Sequence, residues 1–294
     1  MIANRVDVIL ARFRKKQNLE QALFSNQVSF RETQQGSQRI WDTGGALPVL
    51  LMIPDGPCVI EHYRELIEEL RPRFRVVCFE IPGFGYSTPN RNFSLQVPII
   101  SDLVIELMNF LEIPRAALAF TCSNGFYALR TANQYPDRIT HVILAQTPSF
   151  FSMRRWTERI IPKPLRIPIL GQTLMGLQCR KAALQWYKTA LPRQSLHLEP
   201  FSKMATQALE NGAHFCLASL VQNLAQTDTS SLVVTNTPVL AIYGDSDFSH
   251  LYTDFTSILE HAPSAKLVKF EKCGHLPDIE KPQKYTKQIT DFIQ

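Results

Sequence analysis

The chain has 294 residues, 45% of them hydrophobic and 19% charged, with a net charge of +5. That balance supports one globular unit with a large core and no low-complexity or repeated segment. No apolar run is long enough to span a membrane, and the six cysteines (Cys58, Cys78, Cys122, Cys179, Cys216 and Cys273) lack the paired spacing of a zinc site or redox couple. Reduced thiols in a cytoplasmic protein are therefore expected. Near the N-terminus, Ile2, Val6, Ile9, Leu10 and Phe13 share one helical face while Arg12 and Lys15 lie off it, which predicts a helix packed on the body. Arg12, Arg14, Lys15 and Lys16 interrupt any signal-peptide pattern.

Residues 49–53 read as a buried strand that enters Pro54-Asp55-Gly56-Pro57. A second strand runs into Glu80-Ile81-Pro82-Gly83-Phe84-Gly85-Tyr86-Ser87, whose glycines suit a tight turn and lack the lysine of a phosphate-binding loop. Residues 116–120 form an apolar run, and helical spacing resumes over 126–135. Thr121-Cys122-Ser123-Asn124-Gly125 therefore falls on a strand-to-helix corner. Ser123 is a candidate nucleophile there, with Gly125 as the small residue two places on. Cys122 and Cys273 are read as fillers of crowded turns.

A serine hydroxyl needs an imidazole to take its proton, and a base and an acid lie downstream. The strand at 238–243 leads into Gly244-Asp245-Ser246-Asp247, and the strand at 266–270 leads toward Cys273-Gly274-His275. All three groups follow the carboxyl ends of strands, the edge where an open parallel sheet binds ligands. Asp245 is the rival acid. His62, His141, His197, His214, His250 and His261 are the rival bases, and His275 alone follows a strand and a glycine in this order.

Taken in order, these motifs resemble the α/β-hydrolase superfamily from about Ile40 to the end, with Glu80 where the family carries aspartate. The resemblance implies an α/β fold: a mostly parallel central sheet with helices on both faces and a helical cap insertion. Residues 1–148 and 236–294 would form the core with its N-terminal helix, and 149–235 the cap. It implies a Ser123–His275–Asp247 triad, Asp247 being selected over Asp245 by the Gly-x-x-Asp spacing. Backbone N–H groups of Asn124 and Gly56 would form the oxyanion hole, with no cofactor and no metal. Pro54 and Asp55 stand where the family has His-Gly, so Asp55 is expected to point away from the oxyanion or to cap a helix. Dehalogenases and epoxide hydrolases of this fold use an aspartate at the elbow and are set aside.

The expected function is hydrolysis of an ester, thioester, lactone or activated C–C bond in a small, partly apolar substrate. The alternative is a small-molecule-binding or non-hydrolytic protein, a lyase or cofactor-independent enzyme, on the same fold. No nucleic-acid partner is expected. Between Ser149 and Pro200 cationic residues outnumber acidic ones by seven, which suits contact with an anionic membrane or a carrier-linked substrate through the cap. The cap is read as helical near 174–191, 200–211 and 214–226, with an irregular proline-rich stretch at 161–168.

Overall fold

The computed structural model describes residues 2–13, 27–234 and 236–294. The first helix, α1 (Ile2–Phe13), precedes an antiparallel hairpin of β1 (Val28–Thr33) and β2 (Gly36–Asp42). Next come β3 (Val49–Ile53), α2 (Arg64–Leu70), β4 (Arg75–Phe79), the short β5 (Phe84–Gly85), α3 (Val97–Phe110), β6 (Ala116–Thr121) and α4 (Gly125–Gln134). After β7 (Ile139–Ala145) the chain inserts α5 (Phe150–Ile160), α6 (Lys163–Arg166), α7 (Leu170–Ala190), α8 (Leu198–Glu210), β8 (His214–Phe215) and α9 (Leu217–Leu224). It then returns through β9 (Val239–Gly244), β10 (Lys266–Phe270), α10 (Pro277–Glu280) and α11 (Pro282–Ile293).

The eight-stranded sheet has the order β1-β2-β4-β3-β6-β7-β9-β10, parallel from β4 onward. Its central strands carry near-continuous apolar runs because both faces are covered. Every residue of β6 is buried. Leu51, Ile53 and Leu118 pack into the core on one face with α3 and α4, whereas Leu50, Met52 and Ala117 pack into the other with α2 and α11. The expected α/β architecture with a helical insertion is what the chain adopts.

The insertion differs in detail from its sequence reading. The proline-rich stretch contains the single turn α6, opened by Pro164 within its first turn, where a missing N–H is harmless. His214 and Phe215 pair with Gly85 and Phe84 as a two-stranded ribbon that ties the insertion to the loop after β4. The N-terminal helix lies across α7 and α9. Its buried side is Ala3, Asn4, Asp7 and Val8; of the expected apolar face, Leu10 lies against Gly176 on α7 while Ile9 is exposed. Polar bonding decides this. Asn4 donates to the Phe93 carbonyl at 3.0 Å, and the Ser219 hydroxyl donates to Asp7 at 2.5 Å. Arg14, Lys15, Lys16 and residue 235 of the sequence expectations lie outside the described residues.

Glu80 holds the loops that frame the sheet's carboxyl edge. Its carboxylate accepts from Arg39 at 3.1 Å, from the Ile60 N–H at 3.0 Å and from the Tyr86 N–H at 2.6 Å. Arg39, fully buried, also reaches Glu61 at 2.7 Å. Gly85, at φ +54°, is required here because a Cβ would lie 2.2 Å from the Glu80 carboxyl carbon.

Candidate active site

Loops after β3, β6, β9 and β10 converge at the sheet's carboxyl edge. At the end of β9, Asp247 is buried and heavily bonded. Its Oδ1 accepts from the Ser249 N–H at 2.9 Å, the Ser249 hydroxyl at 2.6 Å and the His250 N–H at 3.2 Å. Its Oδ2 accepts from Gln146 Nε2 at 2.7 Å and faces His275 Nδ1 at 2.6 Å. Burial alone would raise the carboxyl's pKa, but His275 and these donors outweigh it and hold it at about 2. Asp247 is thus a permanent anion. Gln146 adopts a left-handed backbone and uses its other amide atom to accept from the Gly244 N–H, bracing the turn.

The strand-to-helix corner has its left-handed residue at Cys122, with φ +55°, and not at Ser123. A non-glycine residue held there is strained, and this conformation projects a side chain outward from the elbow. The corner is tightly locked. Thr147 Oγ1 donates to the Cys122 carbonyl at 2.8 Å and would lie 2.3 Å from a Cβ on Gly125. The Cys122 thiol faces His275 and also approaches His250 Nε2 at 3.9 Å, and the Ser123 N–H is directed at the sulfur. Ser123 also borders the cavity, but among the described residues its hydroxyl has no hydrogen-bond partner. Asn124, expected to supply an oxyanion donor, sends its side chain across to the Pro54 carbonyl at 3.4 Å.

Asp55 corrects the sequence reading most sharply. It neither points away nor caps a helix: its Oδ2 lies 3.1 Å from His275 Nε2. The loop backbone sets that direction. The Asp55 N–H donates to the Tyr63 hydroxyl at 3.2 Å, and its carbonyl accepts from the Cys58 N–H at 3.0 Å. Tyr63 bonds in turn to Asp278, which accepts from Thr121 at 2.8 Å. Gly56 follows with φ +54°, pressed against the Trp186 indole, and its N–H has no partner among the described residues.

His275 is therefore bracketed by two carboxylates. Burial favours the neutral ring, yet Asp247, Cys122 and Asp55 overcome it and raise the pKa well above the ordinary histidine range. Burial acts on the Cys122 thiol in the opposite sense to its partner His275, and with Asp55 it raises the thiol's pKa. His250 lies 4.9 Å from His275 and stacks at 4.2 Å on Trp156. Burial holds its pKa down at about 3, so it is neutral. Cys122, His250 and His275 offer ligand atoms within 4.8 Å of one another, but both ring nitrogens of His275 are engaged by Asp247 and Asp55.

The cavity above these groups has a volume of about 270 Å³. Its walls are mostly apolar: α5 gives Met153 and Trp156, α7 gives Trp186, and α9 gives Leu220 and Leu224. Sequence reasoning missed Asp55, Cys122, His250 and Gln146 as site groups. For Cys122 and His250 a signal was present, since one adjoins the proposed nucleophile and the other follows Asp247 by three residues.

Comparison with known proteins bears on the family and the fold. The family model described as "Alpha/beta hydrolase family" matches residues 50–288. The 2-hydroxymuconate semialdehyde hydrolase of Pseudomonas sp. strain CF600 is 24% identical, over 86% of this chain and 88% of its own. The 3-oxoadipate enol-lactonase 2 of Acinetobacter baylyi is also 24% identical, over 77% and 81%. Among solved structures, a hydrolase from Pseudomonas aeruginosa PA01 superposes with a TM-score of 0.72 at 21% identity, covering 92% of this chain and 99% of that one. With the family model spanning most of its length and the same fold in its structural neighbour, the chain belongs to the alpha/beta hydrolase family.

Proposed function

We propose that the protein hydrolyses an ester, thioester or lactone of a small, partly apolar acyl compound, with Cys122 as nucleophile, His275 as acid and base, and Asp247 as its orienting anion. The observation that carries this reading is the left-handed backbone at Cys122 with its thiol toward His275. Ser123, one residue on, instead supplies an N–H to the oxyanion hole, opposite Gly56. The hydrolytic relatives named above accord with it, and the cavity is under twice the ~150 Å³ that admits benzene.

The Cys122 thiol gives its proton to His275, which it faces, leaving a thiolate beside an imidazolium. The thiolate adds to the acyl carbon, and the oxyanion takes the N–H groups of Ser123 and Gly56. His275 protonates the leaving oxygen or sulfur as the acyl bond breaks. The neutral imidazole then removes a proton from water, which attacks the thioester. Collapse restores the thiolate–imidazolium pair, and His275 returns the proton to sulfur. Turnover of a para-nitrophenyl ester tests the assignment. Cys122→Ala should abolish it and Ser123→Ala should retain it within several-fold; the reverse pattern would return the nucleophile to Ser123.

A second reading concerns the cap's outer surface. Ile160, Ile167, Ile169 and Leu170 are 42–49% exposed along one strap that also carries Lys163, and no acidic residue occurs from Arg159 to Leu198. This combination suits shallow docking on an anionic lipid surface. Sedimentation with phosphatidylserine vesicles should exceed that with phosphatidylcholine and fall in Ile167→Ser/Ile169→Ser. Equal sedimentation with both lipids would end this reading.

A further inference from the structure

Next to the catalytic cavity lies a second one of about 220 Å³, and Met153, Val221 and Leu224 line both. The catalytic chamber is apolar, but the neighbouring chamber carries Arg154, Arg166 and the Thr157 side chain. The two arginines are not equivalent. Arg154 is tied to Glu158 at 3.3 Å. Arg166 pairs with no carboxylate among the described residues, and its buried Nε has no hydrogen-bond partner. The Nε is sealed from the cavity, so what Arg166 offers a ligand there is the guanidinium charge, which no carboxylate among the described residues neutralises. Leu165, its neighbour on α6, faces the catalytic chamber, so one helical turn contributes to both compartments.

We infer that the second cavity is a subsite for a carboxylate at the far end of the acyl chain. The substrates would then be half-esters or half-thioesters of dicarboxylic acids. The inference rests on the hydrolase reading above. The reacting carbonyl sits over Cys122, an aliphatic or unsaturated body passes Met153, Val221 and Leu224, and the terminal carboxylate accepts from Arg166. A monoanion fits better than a phosphate dianion, because Glu158 offsets one of the two guanidinium charges.

Two substrates of equal chain length test this: para-nitrophenyl hexanoate and the para-nitrophenyl monoester of adipic acid. The wild-type protein should prefer the adipate monoester in kcat/KM by roughly tenfold or more, as a charge-assisted hydrogen bond allows. Arg166→Gln should collapse that ratio toward one, and Arg166→Lys should restore part of it. Adipate binding to the wild-type protein by calorimetry, weakened in Arg166→Gln, gives a readout independent of turnover. Hydrolysis of both esters at equal efficiency, or a preference that survives Arg166→Gln, overturns the subsite and leaves the hydrolase reading intact. Failure to hydrolyse either ester overturns the hydrolase reading, and adipate binding alone then decides the subsite.

Discussion

Asp55→Asn isolates the feature that sets this site apart, because it removes a charge and little volume. Asp55 Oδ2 lies 3.1 Å from His275 Nε2, in a site where both side chains are buried. At that separation a bare ion pair is worth about 5 kcal/mol for an effective dielectric constant of ~20. Asparagine's dipole and the remaining Asp247 anion retain part of it, so the neighbouring pKa values should move by roughly 1–3. The direction follows from the charges. Asp55 raises the pKa of the Cys122 thiol. Its loss therefore lowers the pH at which thiolate forms and leaves the imidazolium free to pair with sulfur. The rate of Cys122 alkylation by iodoacetamide, followed against pH, reports that pKa. At a pH below the thiol's pKa in both proteins, lowering that pKa by about one raises the thiolate fraction roughly tenfold. The less basic thiolate is also less reactive, which leaves a net gain of about fourfold. Asp55→Asn should thus alkylate several-fold to tens-fold faster than wild type, with its rising limb at lower pH. A limb that is unmoved, or displaced to higher pH, would refute the coupling between Asp55 and the thiol.

Asp247→Asn should lower kcat on the order of 10⁴-fold at neutral pH by allowing the wrong imidazole tautomer, and, because an amide nitrogen would face donors that the buried carboxylate now satisfies, should also lower the thermal midpoint. Gly125→Ala must push against Thr147 Oγ1 at 2.3 Å, and should destabilise by about 1–3 kcal/mol in urea titration, an effect that Thr147→Ala partly relieves. Glu80→Gln removes one of two carboxylates on buried Arg39. Because Glu61 keeps the guanidinium paired, the loss should fall below the roughly 3–5 kcal/mol of an orphaned buried charge, as denaturant midpoints will measure.

Much of the architecture was legible because its causes are local. The apolar runs at 49–53, 116–121 and 239–244 are strands buried on both faces, and the acidic turn at Asp247 and the glycine turn at His275 follow directly from the last two parallel strands. Asp247 and His275 meet at 2.6 Å as their order implied. The N-terminal helix was legible as a helix but only in part in its buried face, since Asn4 and Asp7 are drawn inward by Phe93 and Ser219, which are distant in sequence.

By itself the sequence determined that a strand, a sharp corner and a helix follow one another around residue 122, and that an acid and a histidine arrive at the same edge. The tertiary structure decided which corner residue takes the left-handed turn and where Asp55 points. Adjacent side chains at a corner diverge according to the φ of a single residue, and the packing of Thr147 against Gly125 fixes that angle at Cys122. Asp55 is aimed by a backbone bond to the Tyr63 hydroxyl and another from the Cys58 N–H, which exist only once the loop has closed over the sheet. No periodicity in the chain encodes such contacts, so the sequence located the site while the fold set its charge.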